Sequence, residues 1–174
     1  MAISLYDLSV ASYLQTLGAV SGYLDKGLAH CRAAGLDPEQ IVETRLAGDM
    51  LPFRFQIVSV AHHSRGAIEG VTQGEFRPPP DLGPLDYAGL QTLVAEAHAA
   101  LARLDRAEVD ALEGRDVVFR MRSLEMPFKA EGFLASFSLP NFYFHAATAY
   151  DILRWKGTPL GKRDFMGQLR LQPA

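Results

Sequence analysis

Residues 139–157, LPNFYFHAATAYDILRWKG, constrain the fold more than any other part of the chain. They lie largely within the longest uncharged run, residues 132–150, and that run carries Pro140, Asn141 and His145, which a plain apolar helix does not need. Pro140 suits the first turn of a helix, where its missing N–H is no loss, and Gly157 suits the residue just past the end. The pattern therefore predicts one helix from near Pro140 to Gly157. On it Phe142, His145, Ala149 and Ile152 recur at helical spacing, which places His145 on the buried face. Asn141 lies one turn earlier and shares that direction. An Asn and a His so placed form either half of a metal or polar site or a simple hydrogen-bonded pair.

A chain of 174 residues fits one domain, 1–174, with room for a sizeable core. Seventeen basic against 20 acidic residues give a net charge of −3 with no basic block, so nucleic acid is not expected as a partner. Cys31 is the single cysteine, which excludes an intrachain disulfide and fits a reducing compartment. The opening MAISLYDLSV has Asp7 and no positive region before its apolar stretch, unlike a secretory signal, so a cytoplasmic protein is expected. Two uncharged runs, residues 8–24 and 132–150, approach the length of a membrane span. Both are diluted by polar residues, and the second by Pro140, so no membrane association is expected. They read as helices buried on several sides, by the rest of the fold or by a second subunit, and a homodimer is expected.

In chain order, helix one is predicted from Ser4 to about Ala34, with Leu14, Leu17, Ser21, Leu24, Leu28 and Cys31 as its stripe and Gly18 and Gly22 beside it. Gly35 ends it, and Asp37-Pro38-Glu39-Gln40 starts a short helix. A cap-like start at Asp49 leads into helix two, where Phe53, Ile57, Val60, Ser64, Ala67 and Val71 form the stripe, ending near Gly74. His62 and His63 lie on it. Residues 76–84, with four prolines, read as a surface linker. Asp86 caps a third helix carrying Tyr87, Leu90, Val94, Ala97, Leu101 and Leu104, and Asp105 opens a short one ending at Gly114. From Asp116 to Arg122 the period changes to two, which predicts a strand, with Met126 to Lys129 as its partner and Ser123-Leu124-Glu125 as the loop. Residues 131–137 are expected to form one more helical turn, and Phe165 and Met166 to pin the tail after Gly157. The fold class expected is all-α, a four-helix bundle with a short β-hairpin before the last long helix.

The pieces ISLYD, DMLPF with HHSRGA, LPNFYFHAATAYDILRWKG and LGKRDF together resemble an uncharacterised family of bacterial and fungal proteins, grouped with the DinB/YfiT-like superfamily of suspected metalloenzymes. The resemblance runs from Ile3 to about Gly167, and LPNFYFH and LGKRDF are its most specific parts. It implies a four-helix bundle, commonly dimeric. In many members three histidines hold zinc or nickel, one from helix two and two from an H-x-x-x-H on the last helix. Matching the Leu-Arg and Gly that follow that motif to Leu153-Arg154 and Gly157 sets the two histidine positions on Asn141 and His145. The helix-two ligand is then His63 or, by a one-residue slip, His62. Asn141 stands where a histidine is expected, and an amide oxygen is a poor ligand for zinc or nickel.

The expected function is small-molecule binding in a pocket between helices two and four, at a degenerate metal site of His63, Asn141 and His145, without catalysis or with an activity the sequence does not name. A bound zinc or nickel ion is the lesser expectation and no cofactor the greater. The alternative is a metal-dependent (zinc or nickel), thiol-dependent transferase or isomerase. A reading without metal has neutral His145, beside Asn141 and Tyr143 or Tyr150, as general acid or base. Cys31 reads as a buried small hydrophobe. His98 reads as structural, Arg120 and Arg122 as the solvated face of a strand, and Lys162, Arg163 and Asp164 as a surface ion pair or cap.

Overall fold

The computed structural model describes residues 3–171 and is mostly helical with one small sheet. The first two and last three residues of the chain, including the end of the predicted tail, lie outside the described residues. A single turn, α1 (Leu5–Leu8), is capped by the Ser4 side chain, and α2 (Val10–Ala34) follows. The predicted single helix is thus interrupted at Ser9, whose hydroxyl donates to the Leu5 carbonyl at 2.6 Å. Of the predicted stripe of α2, Leu17, Leu24 and Cys31 are fully buried, but the buried face is centred to one side of the rest. Leu14, Ser21 and Leu28 are half-buried, while Tyr13, Val20, Tyr23 and Gly27 are buried. Both tyrosines can be buried because each hydroxyl has an acceptor, Ser138 Oγ for Tyr13 at 2.8 Å and the Ala146 carbonyl for Tyr23 at 3.0 Å.

After α3 (Glu39–Val42), helix two is built from α4 (Phe53–Ala61), a π-helical turn (His62–Gly66) and α5 (Ala67–Gln73), and ends at Gly74 with φ 80°. Its start is set by Pro52 and by a bond from the Phe53 N–H to the Thr44 carbonyl at 2.8 Å, not by an Asp49 cap. The predicted linker begins with structure: β1 (Glu75–Phe76) contains Phe76, which is only 4% exposed. Asp86 caps α6 (Tyr87–Leu101) and Asp105 caps α7 (Arg106–Asp110), as their patterns predict.

Strands β2 (Asp116–Met121) and β3 (Leu124–Lys129) pair antiparallel, with Met121 opposite Leu124. The turn is therefore the two residues Arg122 and Ser123, with Arg122 at φ 55°, and not the predicted Ser123-Leu124-Glu125 loop. The extended structure is also larger than a hairpin, because β1 pairs parallel with β2 to give the order β1-β2-β3. Val118 sends its N–H to the Gly74 carbonyl on the β1 side, so Pro127 opposite it loses no ladder bond and blunts the outer edge of β3.

The helical turn expected over residues 131–137 is present and joins the last helix. The one-turn helix α8 (Ala130–Phe133), a second π turn (Leu134–Ser138) and α9 (Leu139–Trp155) run on without a break, so Pro140 is inside a continuous helical segment. Proline lacks the N–H that would bond four residues back, and the widened π turn just before it absorbs that gap. Gly157, φ 92°, closes the helix together with a bond from the Thr158 N–H to the Leu153 carbonyl. Asp164 then caps α10 (Lys162–Met166) through the Gly161 N–H at 2.7 Å and pairs with Lys26 at 2.6 Å, so both expected roles of that acid are present. α4 packs against α9 and α6, and α2 against α6 and α9, around one core. Among the described residues no helix is long and apolar enough to cross a membrane.

Candidate functional site

Two of the polar residues singled out by sequence, His63 and His145, meet along the seam between helix two and α9. His63 is 7% exposed, and its ring lies 6.0 Å from that of His145 with an angle of 18° between their planes. Phe76 and Phe137 close over His63 at 5.4 and 5.9 Å. His62 and His63 take different directions from one π turn. His62 stacks on Phe76 at 4.4 Å and bonds through Nε2 to the Arg77 carbonyl at 2.7 Å, while His63 faces α9. Of the two, it is the His63 ring that lies against His145.

His145 is held in one tautomer. Gln56 Nε2 donates to the Leu51 carbonyl at 2.9 Å, which leaves Gln56 Oε1 to face His145 Nδ1 at 2.7 Å. An amide oxygen only accepts, so Nδ1 carries the proton and Nε2 keeps its lone pair. Burial pushes the His145 pKa down to about 4. Burial, then the neighbouring His62 and His145, push His63 down to about 3. Both imidazoles are neutral near pH 7. His63 Nδ1 is buried with no hydrogen-bond partner among the described residues.

Asn141 is half-buried and turned back on its own helix, with Nδ2 donating to the Phe137 carbonyl at 2.7 Å. The tyrosines proposed beside His145 are elsewhere. Tyr143 is 40% exposed, and Tyr150 packs between Tyr23 and Phe165 at 6.2 and 5.8 Å. Beneath the pair lies a buried chain of bonds, from Tyr13 Oη to Ser138 Oγ at 2.8 Å and from Ser138 Oγ to the His63 carbonyl at 2.7 Å. It joins the two π turns, and such turns recur at functional sites.

A zinc ion needs ligand nitrogens about 2.0–2.1 Å away and converging on one point. The Asn141 amide is engaged with the Phe137 carbonyl. As arranged it does not join His63 and His145 as a third ligand. Among the described residues no group of three or more His, Cys, Asp or Glu is disposed to hold one.

The other candidates follow their structural readings. Cys31 is fully buried and burial raises its thiol pKa, so it is not poised as a nucleophile. Arg120 is committed to Glu75 at 2.9 Å and to Glu125. Gln56, Tyr13 and Ser138 were missed by sequence reasoning. The available signal was polar residues at core spacing: Gln56 lies seven before His63, two turns away on the same face.

The fold is similar to that of a solved DinB family member. The crystal structure of a DinB family member protein from Shewanella denitrificans matches it with a TM-score of 0.81 over 98% of this chain and 96% of that chain, at 23% sequence identity. The chain belongs to the family described as Domain of unknown function (DUF1993), with a match spanning residues 5–166. No curated protein matches the sequence.

Proposed function

We propose that this protein is a DinB/YfiT-like four-helix bundle that binds a small molecule at the seam between helix two and α9, through a histidine pair left from a metal site that has lost one ligand. The observation that carries the reading is His63 Nδ1, a buried ring nitrogen without a partner among the described residues. Such a group costs about 1–3 kcal/mol, which a ligand bonded to it would offset. His145 adds a lone pair on Nε2 whose orientation Gln56 fixes. The pair suits neutral ligands that can exchange hydrogen bonds with uncharged imidazoles. Nothing in the arrangement forms a nucleophile, base and orienter set, so binding without catalysis is the reading we adopt.

We also read the protein as a cytoplasmic homodimer. The outward face of α9 supports the dimer, with Tyr143, Phe144 and Trp155 at 40, 56 and 62% exposure. Elemental analysis of the purified protein, followed by NMR titration of the imidazole nitrogens with a library of neutral small molecules, tests the binding reading. It predicts less than a stoichiometric amount of zinc or nickel and ligand shifts centred on His63 and His145. Stoichiometric metal, or hits that leave both rings unmoved, would overturn it.

A further inference from the structure

Helix two has a second working face, turned away from the His63 ring. Three adjoining cavities of about 820, 270 and 280 Å³ run along it, and consecutive ones share lining residues. Arg54, Asp81 and Leu85 belong to the first two, and Val58, Pro80 and Leu82 to the second and third. They form one groove, floored by helix two and roofed by the proline-rich segment 79–85. From Arg54 to Arg65 the floor spans about 16 Å at 1.5 Å per residue. The roof is stiff, because each proline fixes its own φ, and it offers few N–H groups to a ligand. His62 anchors the start of that segment through its bond to the Arg77 carbonyl.

Charge is graded along the groove. The wide end carries Glu39, Glu43, Asp81 and Asp86 against the single cation Arg54. Glu43 is spent on Arg54 at 2.7 Å. Glu39, Asp81 and Asp86 each accept one backbone N–H, from Tyr87, Gly83 and Gly89, through a single oxygen. Each keeps its other oxygen for a cation. Beyond Leu85 the lining becomes apolar, with Val58, Ala61, Leu82, Leu93 and Ala97, and its only ions are the Arg65–Glu69 pair.

We propose that this groove is a binding site for a cationic amphiphile, an alkylammonium whose head sits among Glu39, Asp81 and Asp86 and whose chain lies along Val58, Leu82 and Leu93. The site turns away from the His63 ring and meets the histidine seam only at its margin, where Phe55 lines the groove and packs on His145 at 5.8 Å; it does not depend on the reading of that seam.

Dodecylammonium, dodecanoate and dodecanol below their aggregation limits are the probes, with affinity read by calorimetry and location by amide NMR shifts. The ammonium is expected to bind at least about fivefold more tightly than the carboxylate, the difference that two exposed charge contacts supply. Its shifts should fall on Val58, Leu82, Leu93 and Ala97. The double variant Glu39→Gln, Asp81→Asn keeps the side-chain oxygens that the Tyr87 and Gly83 N–H groups need, and it should bring ammonium and carboxylate to within twofold. Val58→Trp should block all three probes. Equal binding of the ammonium and the carboxylate to the wild type, an unchanged preference in the double variant, or shifts centred on Gln56 and His145 would overturn the proposal.

Discussion

Ser138 Oγ donates to the main-chain carbonyl of His63 at 2.7 Å, 75 residues away, and so joins the two π turns of the protein at one buried point. Ser138 is fully buried and receives in turn the Tyr13 hydroxyl. Ser138→Ala leaves both the carbonyl and the phenol without their partner. A loss of about 1–3 kcal/mol is expected, measured as a lower urea midpoint at unchanged slope. Faster amide exchange over His62–Gly66 than elsewhere in helix two should accompany it.

Stability should fall on mild acidification through His63. Its folded pKa, about 3, lies below the ordinary value of 6.5, so the unfolded chain takes up the proton first. The contribution is complete above about pH 6.5 and is lost as the pH falls toward 3. At pH 5 the loss is about 2 kcal/mol. His63→Phe should flatten the difference between urea midpoints at pH 7 and pH 5 by that amount, and an unchanged pH slope would contradict the assignment.

Asn141→His should strengthen zinc or nickel binding at least about tenfold, since it replaces an amide by an imidazole. The wild type should bind weakly. His63 can turn its ring toward a metal without breaking a bond, because Nδ1 has none among the described residues, and His145 can offer Nε2 while Nδ1 stays on Gln56. A competition titration with a metal indicator checks this, with His63→Ala and His145→Ala added to the variant, each of which should remove the gain.

Glycines of α2 separate local propensity from packing. A Cβ on Gly27 would stand 2.5 Å from Tyr87 Oη and 2.9 Å from Leu153 Cδ2, and that hydroxyl is bonded to the Leu24 carbonyl. Gly27→Ala should cost about 1–3 kcal/mol. Gly18 is exposed with open space around it, so Gly18→Ala should stabilise by about 0.5–1 kcal/mol. Thermal melts of the two variants should move in opposite directions.

The homodimer reading predicts a dimeric mass for the wild type by light scattering and a monomeric one for Phe144→Glu, which places a charge on the most exposed ring of the Tyr143–Phe144 pair. A monomeric wild type at all practical concentrations would remove it.

The sequence by itself determined the helical segments and most of their ends. Of the predicted stripe, Tyr87, Leu90, Val94, Ala97 and Leu101 are buried and Leu104, past the end of α6, is half-buried, and Asp86, Asp105, Gly35, Gly74 and Gly157 act where their chemistry puts them. These are short-range properties: a cap, a left-handed residue or an apolar period is written within a few positions. The same locality placed His145 on the inward side of its helix, put His62 and His63 on helix two, and left open which of the two meets it. Tertiary structure alone decided the rest. Phe76 became a strand because β2, some 40 residues on, offers a parallel edge, and the two π turns are joined by the Ser138 hydroxyl, bonded to a carbonyl 75 residues away. Whether Asn141 turns toward the histidines or back to the Phe137 carbonyl is a choice between acceptors that no periodicity encodes. Which of His62 and His63 meets α9 likewise depends on how helix two is rotated against its neighbours, which spacing along the chain does not register.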